Sequence, residues 1–175
     1  DEEYNWLVMR AKGKFGMVMT CASHVQKIGK GFPGQLGIFS DELNPGHQRL
    51  VKGIHVEGML AVIQLHHAGM RSPKDLLDDQ PVCPSDHINP DARALTLQEV
   101  HELRDDFIAA AKRAQICGYD GVEVHGAHGY ILTQFLSSEI NQRTDEYGGI
   151  LDNRARLLLE VVDGIRKECG DDFLL

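Results

Sequence analysis

A chain of 175 residues is long enough for one good hydrophobic core and too short for two large domains. With 18 basic against 26 acidic residues its net charge is -8, which argues against nucleic acid or an anionic membrane surface as partner, though not against an anionic cofactor. The four cysteines (Cys21, Cys83, Cys117, Cys169) form no CxxC pair and no apolar run reaches membrane-spanning length, so the expected setting is reduced and cytoplasmic, without a disulfide scaffold, metal site or membrane anchor.

The chain opens inside an acidic helical pattern, without a signal-peptide pattern and without Met, as expected of a chain that has lost its natural beginning. Residues 3 to 12 read as a short helix with Tyr4, Leu7, Val8 and Ala11 on one face. Met17-Val-Met-Thr20 reads as a buried strand with a small, polar exit, Cys21-Ala-Ser-His24, followed by a glycine-punctuated loop. Leu43 to Gly58 is predicted helical. Met59 to Leu65 is a nearly continuous apolar run, as expected of a parallel strand covered on both faces, and Gln64, His66 and His67 mark its end. Residues 70 to 95 read as a long loop without periodicity, of the kind that is either a functional lid or disordered.

Thr96 and Glu99 form a capping box that opens a helix running to about Cys117, and Gly118 stops it. A short strand, Asp120 to Val124, then delivers His125, His128 and Tyr130 from one end, with glycines between them that allow a tight turn. A polar and aromatic segment leads to Gly149, Leu151 to Cys169 is a last helix, and Asp172 to Leu175 begins another strand. The repeating unit is helix, glycine, short buried strand, polar exit, which predicts a parallel α/β sheet. No GxGxxG or GxxxxGK follows any strand, whereas every strand exit is polar, which favours a (β/α)8 TIM barrel with its site built from several loops. About half of eight units are present, so residues 1–175 are expected to be one partial barrel domain, incomplete at both ends. Taken alone, His125 and His128 read as a ligand-binding pair, or else as a structural pair or part of a metal site needing a third ligand.

The ordered series Ile63-Gln-Leu-His-His-Ala-Gly69, Pro81-Val-Cys-Pro-Ser85, Gly118 through Tyr130, Gln134-Phe-Leu136 and Asn141-Gln-Arg-Thr-Asp-Glu-Tyr-Gly-Gly149 with Asn153, Arg154 and Arg156 resembles the old yellow enzyme family of FMN-dependent ene-reductases. The resemblance covers nearly the whole chain, from the helix before the second barrel strand to the start of the fifth. It implies FMN at the carboxyl-end mouth of the barrel, NADH or NADPH as reductant, and hydride transfer to the activated C=C of an α,β-unsaturated carbonyl or related small molecule.

It further implies that His125 and His128 hold the substrate oxygen, that Tyr130 supplies a proton to Cα, and that Gln64 and Ala22 meet the flavin ring, with His125 alongside it. Cys21 falls where many relatives have Glu and is carried as a cofactor-side residue, with Thr20 as a further candidate. His67 is expected to be structural, and Arg71 is displaced by one position from the family's usual HxGR. Cys83 stands where Ala is more usual, and Arg143, Asp145, Arg154 and Arg156 are expected to form a buried ionic network. The Phe32–Phe39 loop and residues 70 to 95 are candidates for the substrate mouth or a subunit contact, and the full-length protein is a possible homo-oligomer. The competing readings are a non-flavin barrel lyase or isomerase, and a catalytically inactive fragment that acts as an interaction module.

Overall fold

The computed structural model describes residues 2–175. Three parallel strands, β1 (Met17–His24), β2 (Leu60–His66) and β5 (Gly121–Val124), form a sheet in the order β1-β2-β5. Leu174 bridges Gly121 in the same direction, so the final segment starts to add a strand beside β5. The helices are α1 (Glu2–Lys12) before β1, α2 (Asn44–His55) and α3 (Leu97–Cys117) between the strands, and α4 (Ile131–Leu136) and α5 (Leu151–Cys169) after β5.

Strand alternation sends Val18, Ala61, Ile63, Leu65 and Val122 toward the helices, where they join one core with Ile54, Leu103, Phe107, Ala110, Leu157 and Val161. The opposite face carries Ala22, Gln64 and Glu123, which are register neighbours across the three strands. That face is the concave, inward side of a barrel. It supplies the floor of the site.

Three regions differ from the expectation. β1 does not end at Thr20 but runs on through its polar exit to His24, because a bulge between Met19 and Ala22 fits two residues opposite one and keeps the ladder going. The polar segment after Tyr130 contains α4, and the stretch 70 to 95 is not structureless. It holds two 3-10 turns and a parallel pair of two-residue strands, β3 (Val82–Cys83) and β4 (Arg93–Ala94). Among the described residues, no helix is long and apolar enough to cross a membrane.

The start of α3 follows its sequence pattern. The Thr96 hydroxyl oxygen accepts from the Glu99 N–H at 3.2 Å, and the Glu99 carboxylate accepts from the Thr96 N–H at 2.8 Å. Gly118 closes the helix in the left-handed conformation at φ 94°. Glu99 also receives Arg93 in a two-pronged contact, at 3.0 and 2.6 Å. The hydrogen bonds from Arg93, followed by those from Thr96, hold its carboxyl at about 2, below the ordinary 4.5. A depressed carboxylate stabilises the fold above its ordinary pKa, so this contribution is complete above 4.5 and disappears as pH falls toward 2. Thr96→Ala is expected to lower stability by about 1 kcal/mol in urea unfolding monitored by circular dichroism.

Candidate active site

The site is assembled where β2 and β5 end. The His125 N–H donates to the Leu65 carbonyl at 3.0 Å, which continues the ladder and places His125 beside His66 on the inward face. The chain then turns through His128, whose φ of 57° is left-handed, and Gly129, before Tyr130 opens α4. A guanidinium N–H of Arg71 donates to the His128 carbonyl, and the guanidinium carbon lies 5.3 Å from the centre of the Tyr130 ring. Arg71 therefore reaches the site despite its displaced place in the sequence, and it steadies a turn that no L-residue prefers.

The turn brings three rings together. The centroids of His125 and His128 are 5.2 Å apart, those of His125 and Tyr130 5.0 Å, and those of His128 and Tyr130 6.4 Å, all near perpendicular. His125 Nδ1 accepts from the Ala127 N–H at 3.3 Å, so the ring proton sits on Nε2, which remains available as a donor. Burial, and next the proximity of His128, lower the His125 pKa below 6.5, so this imidazole is neutral at physiological pH. His128 is exposed; His125 and Tyr130 are half-buried.

On the concave floor, the Gln64 side-chain amide donates to the Glu123 carboxylate at 2.5 Å. Ala22 opposite presents only a methyl group, which leaves room for a flat ligand. Cys21 and Thr20 are not part of this row, because both fall in the bulge. The Cys21 N–H donates to Glu3 of α1 at 2.9 Å, and its thiol pKa is raised by burial and by Glu3. Thr20 is buried, with its hydroxyl accepting from the Gln64 N–H at 3.2 Å and donating to the Cys21 carbonyl at 2.7 Å.

The second histidine of the pair after Leu65 is structural, as expected. His67 is buried against Gly29, bonds Gln26 at 3.1 Å, accepts from the Gly69 N–H at 3.0 Å, and is driven down to about 3, mainly by burial. Four contributors carried no sequence-based role. His66 lies against both His125 and Tyr130, with centroids at 5.3 and 4.3 Å. Gln35 bonds His66, and Glu123 bonds Gln64. Gln134, fully buried, donates to the carbonyls of Ala68 and Gly129 and accepts from the Met70 N–H, clamping the loops after β2 and β5 together. Of these, His66 was visible in the sequence only as part of the polar end of the second strand, and Gln134 only as part of the segment Gln134-Phe-Leu136.

A cavity of about 430 Å³ opens beside the strand ends, lined by His24, Lys27, Phe39 and Leu76 to Asp79. The loop carrying Phe39 and the stretch after residue 70 thus meet at this cavity. The expected ionic network of four residues is smaller than anticipated. Arg143 pairs with Asp145 at 2.5 Å, but Arg154 donates to the carbonyls of Leu136 and Gly149, and Arg156 to the Glu146 carbonyl and the Asn153 side chain. Backbone carbonyls at helix and loop ends compete successfully for these guanidinium groups, since each needs a donor there.

A parallel sheet walled by helices, with its polar groups gathered at the carboxyl ends of the strands, defines one part of a (β/α) barrel whose site is built from strand-end loops. The model of the NADH:flavin oxidoreductase / NADH oxidase family matches residues 1–175, and the chain belongs to that family. The chain is 40% identical over 175 residues to a protein of Bacillus subtilis (strain 168) named "Probable NADH-dependent flavin oxidoreductase YqiG", covering 98% of this chain and 47% of that protein. Among solved structures, a 2-naphthoyl-CoA reductase in complex with 2-naphthoyl-CoA superposes with a TM-score of 0.94 at 35% identity, over 99% of this chain and 29% of that one. Morphinone reductase in complex with tetrahydroNAD gives 0.86 at 30% identity, over 96% and 53%. The chain thus spans about half the length of the curated relatives it matches. The expected family and barrel class are borne out, and membership sets aside the non-flavin lyase or isomerase reading.

Proposed function

We propose that this chain provides the substrate-activating part of an FMN-dependent oxidoreductase that uses NADH or NADPH to reduce the activated C=C of an α,β-unsaturated carbonyl or a related compound. The observation that carries the proposal is the convergence of His125, His128 and Tyr130 at one strand end, with His125 Nε2–H left free beside a flat, concave floor. That floor fits a flavin ring. Ala22 offers no bulk, the Gln64 amide has a donor and an acceptor end for a ring edge, and its present partner Glu123 is exposed and readily exchanged. When bound, FMN supplies the hydride. Cys21 enters this reading only through its backbone position next to Ala22.

The protein's own task is to manage charge on the substrate. As hydride arrives at Cβ, negative charge grows on the carbonyl oxygen, and His125 and His128 donate to that oxygen more strongly than to the ground-state carbonyl. Tyr130 then places its hydroxyl proton on Cα. A phenol is competent because the carbanion-like centre is far more basic than a phenolate. The partner is thus a small-molecule alkene.

The direct test is anaerobic reduction of the flavin-loaded protein by NADH and by NADPH, followed by mixing with an enone panel. Oxidation of the reduced flavin by enones supports the proposal, and reduced flavin unaffected by every enone defeats it. Tyr130→Phe is expected to slow the enone step about 10²-fold while reduction of the flavin by NAD(P)H keeps its rate, read by stopped-flow absorbance.

A further inference from the structure

His66 is buried to 1% exposure, yet its Nε2 has no hydrogen-bond partner among the described residues. A buried polar atom without a partner destabilises the fold, so its presence at a ligand site calls for a reason. Its protonation follows from a chain of bonds. The Gly31 N–H donates to Gln35 Oε1 at 2.6 Å, which fixes the oxygen end of that amide. The nitrogen end then donates to the Ala22 carbonyl at 2.9 Å and to His66 Nδ1 at 3.0 Å. Nδ1 must therefore accept, and the ring proton resides on Nε2. Burial, then the nearby His125 and His24, hold His66 down to about 4, so the ring is neutral at physiological pH and its tautomer decides what it offers.

We propose that Gln35 holds His66 as a third imidazole donor of this site, and that His66 selects substrates carrying a second hydrogen-bond acceptor, such as an ene-dione or quinone, over simple enones. This rests on the function proposed above and names the substrate class for it. His66 stands beside His125, with centroids 5.3 Å apart, so one ring-sized ligand held by His125 and His128 through its first oxygen reaches His66 with its second. The Tyr130 ring lies nearly perpendicular to His66 with centroids 4.3 Å apart, so the two donors border the same space. A simple enone leaves the Nε2–H unpaired, and a substrate with two acceptors relieves it. Discrimination of this kind is strong because the cost falls on the protein's own buried group.

The test uses the flavin-loaded protein and two saturated, unreactive probes, cyclohexanone and cyclohexane-1,4-dione, titrated against the flavin absorbance. The dione is expected to bind about tenfold tighter or more, beyond the statistical advantage of its two equivalent carbonyls, and His66→Phe is expected to abolish that preference while cyclohexanone still binds. Imidazole ¹⁵N NMR of the unmutated protein is expected to show His66 protonated at Nε2, with the Nε2 signal moving when the dione is added. If both ketones bind and their ratio is unchanged in His66→Phe, or if His66 carries its proton on Nδ1, the inference is overturned alone. If neither ketone perturbs the flavin while enones still oxidise the reduced flavin, this inference fails alone; if no enone oxidises it, the proposed function fails and takes this inference with it.

Discussion

His125→Ala is expected to slow enone reduction by about 10²- to 10³-fold, while NADH or NADPH bleaches the flavin at close to the unmutated rate. The size of the effect follows from what the imidazole faces. It presents a neutral Nε2–H, fixed by the Ala127 N–H on its other nitrogen, toward an oxygen that carries charge only during the reaction. A donor held in place by the fold spends nothing on reorienting as that charge develops, so its loss appears in kcat more than in KM. The lowered pKa sets the pH behaviour. Above 6.5 the ring is neutral and titration of His125 leaves the rate unchanged, whereas acid below its lowered pKa protonates Nδ1 and breaks the bond from Ala127. Stopped-flow kinetics of the two half-reactions separates the outcomes. Equal losses in both half-reactions would point to a collapsed flavin site and remove His125 from substrate activation.

The parts of this site that were legible in the sequence are those encoded by local chemistry. The Thr96 capping box, the Gly118 stop and the apolar run of β2 each depend on neighbours within a few residues, and each appears where expected. The grouping of His125, His128 and Tyr130 was readable for the same reason, since one turn of chain suffices to gather them. Features that need partners far away in sequence were not readable. The role of His66 depends on Gln35, 31 residues earlier, and the orientation of Gln35 depends in turn on an N–H of Gly31. The continuation of β1 through Cys21 to His24 was masked because an inward barrel face tolerates polar residues, so hydropathy stops marking a strand there. α4 has only six residues, too few for helical periodicity to show.

Gly148→Ala is expected to destabilise the protein by about 3 kcal/mol, whereas Gly149→Ala, one residue later, costs about 1 kcal/mol. The two glycines are there for different reasons. A Cβ on Gly148 would lie 2.0 Å from the Arg143 carbonyl oxygen and 2.5 Å from its carbonyl carbon, so backbone rather than a flexible side chain must move. Gly149 has open space around it and is constrained only by its left-handed φ of 81°.

Moving Arg143 disturbs what it anchors. Its side chain is 8% exposed, pairs with Asp145, and donates to the carbonyls of Pro84 and Leu95, thereby fastening the loop before α5 to the β3 and β4 segments. The same loop buries Tyr147, whose hydroxyl donates to Glu160 at 2.7 Å and whose pKa is pushed up to about 12 by burial and then by Glu160. Asn141 ties the loop to α4 by donating to the carbonyls of Phe135 and Tyr147, both at 2.7 Å. Because Tyr130 caps the start of α4, strain at Gly148 reaches the proposed proton donor through a short chain of buried hydrogen bonds. Urea unfolding of both variants, followed by tryptophan fluorescence and flavin release, measures the difference. Equal midpoints for Gly148→Ala and Gly149→Ala would show that the loop yields freely and that Arg143 does not hold it.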